Sequence, residues 1–327
     1  MEILLRFFRN TQAISLVALL VLLLALRIPV LFVDIPFSEV SPMPISSLIF
    51  SLIPKQAWFY KLLSLFLVGF QAIYFNKIMV SQQIIDRNSF LPAFFYVLLS
   101  SIIPEMHMLH PALFANSFLL LALQKIHGLY QFKKAQFRIF DAGFYIGLAI
   151  LCSVPATWYV AVLIVGLTSY QIAGFKYHII SLLGVLCPIY LWAVWVFFQD
   201  KTTFIIDRFF ASPFRETYHF TWGDLHYLSV YIPLLLIVVF SIRDLSLHIK
   251  QKDIKARKAF QINYTHLALS VLTLISLPII DIRTPYALII PISGIVANYY
   301  LYSKKTKLAT ILLFALFAGT FYLQWYV

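Results

Sequence analysis

The chain has 327 residues, of which 61% are hydrophobic and 12% are charged, and its mean hydropathy is +0.87. This composition excludes a soluble domain and predicts an all-α polytopic membrane protein. The formal net charge of +12 is then expected to reflect basic cytoplasmic loops, so we predict no nucleic-acid partner. The two cysteines lie in apolar stretches and indicate neither a disulfide framework nor a metal–thiolate site.

The apolar stretches predict about 11 transmembrane helices in a single transmembrane domain, residues 1–327. Arg6 and Arg9 precede the first stretch, and no small-residue cleavage site follows it. We therefore expect a retained first helix with a cytoplasmic N-terminus. The expected external loops are residues 34–56, 104–111 and 200–226, and the expected cytoplasmic loops are residues 81–89, 127–141 and 243–263.

Two further segments have patterns of their own. Residues 46–52 in the first external loop fit an amphipathic helix at the membrane interface. Residues 142–173 are mostly apolar with Pro155 near the middle, so they form one overlong helix or two short ones. The basic residues on both sides favour two crossings.

Polar residues in the first helix and the loop after it are candidates for a site. Arg27 lies in apolar sequence, where an arginine is costly unless it has a partner or a wet cavity. The alternative is that its side chain extends to the outer interface. Asp34 and Glu39 follow the helix, where a carboxylate can act as a general base or bind a divalent cation. They fit equally a pair of solvated loop acids.

A second set of polar residues interrupts the apolar stretch 91–125. Each apolar arm has about 15 residues, short for a full span, so we expect a hairpin whose turn lies at or just inside the external interface. The turn carries Glu105, His107 and His110. Their spacing is not a standard metal motif, and whether they bind a metal stays open. The alternative is a set of interfacial histidines in an aromatic belt.

Three segments resemble the GT-C superfamily of polytopic membrane glycosyltransferases. They are FYVLLSSIIPEMHMLHPALFANSFLLLALQKI (95–126), DAGFYIGLAILCSVPATWYVAVLIVGL (141–167) and DIRTPYALIIPISGIVANYYL (281–301). The first is similar to the third and fourth helices of that superfamily, with a turn on the external side. The chain also resembles a group of inner-membrane proteins of Bacteroidota, which implies the bacterial inner (cytoplasmic) membrane as its location.

The resemblance implies a GT-C-like protein that handles a polyprenyl-phosphate-linked sugar at the external face. Asp34 and Glu39 would then be the catalytic residues, one of them as base or as ligand of a divalent cation. The residues that would hold the donor phosphate or the acceptor are Arg27, Glu105, His107, His110 and Arg283. The expected partners are membrane lipids and the lipid-linked sugar, and the oligomeric state stays open.

The first loop contains no Asp-x-Asp pair. The alternative function is therefore a non-catalytic membrane scaffold or a subunit of an envelope assembly or secretion complex.

Overall fold

The computed structural model describes residues 5, 7–9, 13–31, 43–54, 56–85, 89–130, 135–172, 174–200, 222–276, 285–303 and 306–326. Within these ranges the elements are helical and no strand is present. The α-helices are α1 (Ala13–Leu31), α2 (Pro44–Leu52), α3 (Ala57–Ser81), α4 (Leu91–Leu99), α5 (Pro111–His127), α6 (Ala135–Cys152), α7 (Tyr159–Ser169), α8 (Phe175–Phe197), α9 (Leu228–His248), α10 (Ile254–Ser276), α11 (Tyr286–Tyr302) and α12 (Thr306–Tyr326). Short 3-10 helices cover Pro104–His107, Val154–Trp158, Trp222–Tyr227 and Ile249–Gln251.

The structure confirms the predicted all-α class, and its apolar helices indicate a membrane protein. Five stretches of the described chain are long and apolar enough to cross a bilayer, namely Ala57–Ser81, Ala135–Cys152, Phe175–Phe197, Leu225–Gln251 and Lys307–Gln324. Shorter apolar helices cover Ile14–Ile28, Val154–Ser169 and Tyr286–Tyr302. The count of about 11 crossings, the GT-C likeness and the orientation stay predictions.

Several helix boundaries differ from the predicted ones. The stretch 142–173 contains two helices, α6 and α7, and the 3-10 turn between them includes Pro155. Helix α6 begins at Ala135 and α10 begins at Ile254. The expected loops 127–141 and 243–263 are therefore partly helical. Hydropathy identifies only the apolar part of a helix, and both helices start with polar turns outside that part.

Helix α4 lies at the centre of the described fold and is too short to cross a membrane. Its nine residues extend about 13 Å, against about 30 Å for a bilayer core. All nine side chains are buried, and the helix packs against α1, α3 and α11. The first arm of the predicted hairpin therefore ends inside the protein, and the turn that follows it, residues 100–110, is surrounded by other helices.

Helices α6 and α8 approach each other so closely that only glycine fits at several contact positions. Gly143 and Gly147 form a small-xxx-small pair on α6, and a Cβ on either would clash with the backbone of α8. In the reverse direction, a Cβ on Gly184 of α8 would lie 2.5 Å from the carbonyl oxygen of Phe140. Van der Waals contact between two backbones therefore holds this pair together.

We predict that Gly184→Ala destabilises the protein in detergent, because a backbone carbonyl cannot move away as a side chain can. Overpacking of this kind costs about 1–3 kcal/mol, or about 2–6 °C in melting temperature. Gly69→Ala is the matched control, since its new Cβ would meet only the end of the Leu23 side chain, at 3.2 Å. Thermal unfolding of both variants checks this, and equal melting temperatures would contradict the close packing of α6 and α8.

Candidate functional site

The turn at residues 100–110 is shaped by two prolines and a histidine. Pro104 begins the 3-10 helix and Pro111 is the first residue of α5, a position where its missing N–H is not needed. His110 caps α5, because its Nδ1 accepts a hydrogen bond from the backbone N–H of Ala112 at 3.1 Å. These local preferences end one helix and begin the next within a few residues. The polar backbone groups between the two helices are thereby available to the helices around the turn.

Arg27 of α1 holds this turn in place. Its side chain is only 2% exposed. The guanidinium donates to Ser64 Oγ of α3 at 2.8 Å, to Ser101 Oγ at 3.2 Å, to the Ser100 carbonyl at 2.9 Å and to the Met106 carbonyl at 3.4 Å. Each of these acceptors is neutral, and two are turn carbonyls that the helices leave unpaired. Arg27 therefore does not extend to the outer interface, and it links α1, α3 and the turn.

Helix α11 also contacts the turn, through Tyr286. The Tyr286 hydroxyl donates to the carbonyls of Met106 at 3.2 Å and Met108 at 3.4 Å. Its ring stacks on His110, with centroids 5.0 Å apart and planes at 18°. Asn116 of α5 donates to the Tyr286 carbonyl at 3.0 Å. These contacts fix the first turn of α11 against both His110 and α5.

Three hydrogen-bond acceptors around the turn are buried without a donor among the described residues: Glu105 Oε2, His107 Nδ1 and Gln324 Oε1. Glu105 uses its other oxygen to accept from the Tyr227 hydroxyl. His107 Nε2 lies 3.2 Å from the Ser101 carbonyl, which can only accept, so Nε2 carries the proton and Nδ1 does not. Gln324 donates to the same carbonyl at 3.3 Å, so it and His107 are neighbours.

Both turn histidines are neutral at physiological pH. Burial lowers the pKa of His110 to about 4. Burial and the charge of Arg27 lower the pKa of His107 well below its usual value. A neutral imidazole beside a guanidinium presents an acceptor, so His107 is suited to hydrogen bonding with a ligand rather than to binding an anion.

An apolar groove of about 340 Å³ adjoins the turn. The end of α4 and the first residues of the turn form one wall, and α9, α10 and α11 form the others. Leu235 and Val239 of α9 line it and are strongly exposed, so the groove opens on the side of the bundle where lipid is expected. The buried Met106 also lines it, and the neighbouring residues 105 and 107 carry two of the unpaired acceptors.

The structure brings together four of the predicted site residues: Arg27, Glu105, His107 and His110. Asp34, Glu39 and Arg283 lie outside the described residues, and their predicted roles stay predictions. Within the described part of the chain, no group of three or more His, Cys, Asp or Glu side chains could hold a metal ion.

The sequence analysis did not identify Ser64, Ser101, Tyr227, Tyr286 or Gln324 as part of the site. The sequence signal that could have identified these five residues was weak. A polar side chain within an apolar stretch is expected to face the protein interior, but the sequence does not say which partner it meets.

These features define a helical membrane protein with a buried polar turn beside an apolar groove. A family model described as a family of unknown function, DUF6427, matches residues 16–324, so the chain belongs to that family. No curated protein and no solved structure matches the chain.

We predict that His110 makes the stability of the protein fall as the pH drops from about 6.5 to about 4. In this range the unfolded histidine binds a proton and the folded one does not, so protonation favours unfolding. His110→Asn removes the titration and retains a good helix cap. Its melting temperature should fall less than that of the unsubstituted protein between about pH 7 and pH 5, by roughly 2 °C.

His178→Asn on α8 is the matched control, because it replaces a histidine that lies outside the turn. The same pH response in the His110 variant and the unsubstituted protein would contradict a neutral, buried His110.

Proposed function

We propose that the chain is a GT-C-like membrane glycosyltransferase that takes a sugar from a polyprenyl-phosphate carrier at the external face of the membrane. The observation that carries this proposal is the apolar groove next to buried acceptors that have no donor among the described residues. A long apolar chain fits the groove, and a ligand rich in hydroxyl groups supplies hydrogen-bond donors. A lipid-linked sugar combines both properties.

The turn is the binding wall in this proposal. Glu105, His107 and Gln324 accept hydrogen bonds from sugar hydroxyls. Because these acceptors are buried, each one that is left without a donor destabilises the protein by about 1–3 kcal/mol. Such a penalty favours a ligand with hydroxyls over one without them. Arg27 contributes indirectly, because it holds the carbonyls of Ser100 and Met106 and thereby fixes the position of the acceptors.

The chemistry is assigned to the first external loop. Asp34 follows the end of α1 by three residues in the sequence, and Glu39 follows Asp34 by five. One of these carboxylates takes the proton from the acceptor hydroxyl as its oxygen attacks the anomeric carbon. The bond from that carbon to the phosphate oxygen breaks, and the polyprenyl phosphate leaves with inversion. The need for a divalent cation at the phosphate stays a prediction.

We predict that Asp34→Ala or Glu39→Ala abolishes transfer of sugar from a radiolabelled polyprenyl-phosphate sugar in isolated membranes. Loss of a general base lowers such a rate by about 10²–10⁴-fold. Immunoblotting should show unchanged protein in the membrane, and the cell-envelope glycan should be lost in cells. If neither substitution changes transfer, the catalytic assignment is wrong.

Val239→Trp tests the groove in the same assay, because a large ring at the exposed edge narrows it. Transfer should fall several-fold. Leu183→Trp is the control, since Leu183 is similarly exposed on α8 and does not line the groove.

A non-catalytic membrane subunit is the second candidate function. It is favoured by Arg27, whose hydrogen bonds all go to neutral groups of the protein itself, as expected of a purely structural residue. This function predicts that both loop carboxylates are dispensable and that the protein co-purifies in a fixed ratio with other membrane proteins.

A further inference from the structure

A second cavity, of about 590 Å³, lies where α9 and α11 end. It is distant from the turn, because Glu105 bonds to Tyr227 just before α9 begins, and the 21 residues of α9 extend about 30 Å. This length equals the thickness of a bilayer core, so the turn and the cavity belong to opposite membrane faces. We call it the 243–252 cavity after the α9 end and 3-10 turn that line it.

The lining of the 243–252 cavity carries a net positive charge. Arg243 and Lys252 are its cations and Asp244 is its acid. Asp244 interacts with His248, whose Nδ1 lies 3.6 Å from the carboxylate. The Lys252 ammonium lies 4.2 Å from the ring centroid of Tyr302, which holds it against α11. Arg243 is an exposed residue, and a guanidinium can form a two-pronged contact with a phosphate group.

A buried acceptor in the same cavity indicates what else the ligand carries. Asn298 is only 2% exposed, and its Oδ1 has no hydrogen-bond partner among the described residues. It lines the cavity. A buried amide oxygen without a donor is destabilising, so a ligand that supplies a hydroxyl group gains affinity there.

The edge of the cavity is apolar. Phe240 and Leu247 line it, and Leu247 is 68% exposed on the same helix as the lipid-facing Val239. A ligand whose polar group enters the cavity can therefore keep an apolar part against the outer surface of α9. This favours a lipid over a soluble phosphate ester.

We propose that the 243–252 cavity binds the headgroup of an anionic phospholipid that carries both a phosphodiester and a free hydroxyl. Arg243 and Lys252 contact the phosphodiester, and Asn298 accepts a hydrogen bond from the hydroxyl. Basic pockets between the ends of transmembrane helices bind lipid headgroups by this chemistry. The proposal does not depend on the proposed function, since it concerns other residues at the other end of α9.

The test is the thermal stability of the full-length protein in detergent as phosphatidylglycerol is added. The lipid should raise the melting temperature, and phosphatidylcholine at equal concentration should not. Arg243→Gln combined with Lys252→Gln should raise the phosphatidylglycerol concentration for half-maximal stabilisation by about tenfold or more, because charge-assisted hydrogen bonds are lost. Lys176→Gln combined with Arg257→Gln is the control, with the same charge change at exposed positions outside the cavity.

Equal weakening in the two double variants would overturn the proposal, since it would mean diffuse attraction to basic residues. Stabilisation by soluble glycerol 3-phosphate as strong as that by the lipid would overturn the lipid assignment. Arg243→Lys provides a check that does not depend on folding of the double variant. It keeps the charge and loses the two-pronged geometry, so lipid binding should weaken at unchanged lipid-free stability.

Discussion

The buried guanidinium of Arg27 is the interaction on which the rest of the described fold depends. An unpaired charge of this kind is prohibitive in an apolar interior, and it is tolerated when hydrogen bonds replace water. Here the hydroxyls of Ser64 and Ser101 and the carbonyls of Ser100 and Met106 take that place. The same bonds satisfy backbone carbonyls that a broken helix leaves exposed. The arginine and the turn therefore stabilise each other, and neither is stable in this position alone.

This mutual dependence explains why a helix as short as α4 can lie at the centre of a membrane protein. A chain that stops its helix among other helices, away from water, must find hydrogen-bond partners inside the protein. Arg27 and Tyr286 supply them from two different helices and share the Met106 carbonyl. The rigid turn then holds polar side chains beside the apolar groove, while the second cavity occupies the far end of α9. The described part of the protein thus has an apolar groove beside the turn and a basic cavity at the far end of α9.

Much of this arrangement could be predicted from the sequence. Apolar stretches predicted the order of the helices, and the polar residues between the two short arms of the stretch 91–125 predicted the turn. The cost of an arginine in apolar sequence marked Arg27 as exceptional. Its partners could not be predicted, because a serine in an apolar helix looks the same whether it bonds its own backbone or a guanidinium. The contact of Gln324 with the turn spans most of the chain, and no local pattern encodes it.

The most direct test of this account is the stability of Arg27→Met in detergent, together with amide hydrogen exchange of residues 100–110. Removing the guanidinium takes the donor from the buried Ser100 carbonyl and from the hydroxyls of Ser64 and Ser101, so the melting temperature should fall by about 5 °C or more. The turn should exchange faster, while α6 and α8 keep their protection. Arg257→Met, which removes an exposed arginine of α10, should change neither quantity. A variant of Arg27 as stable as this control, with an equally protected turn, would contradict the account.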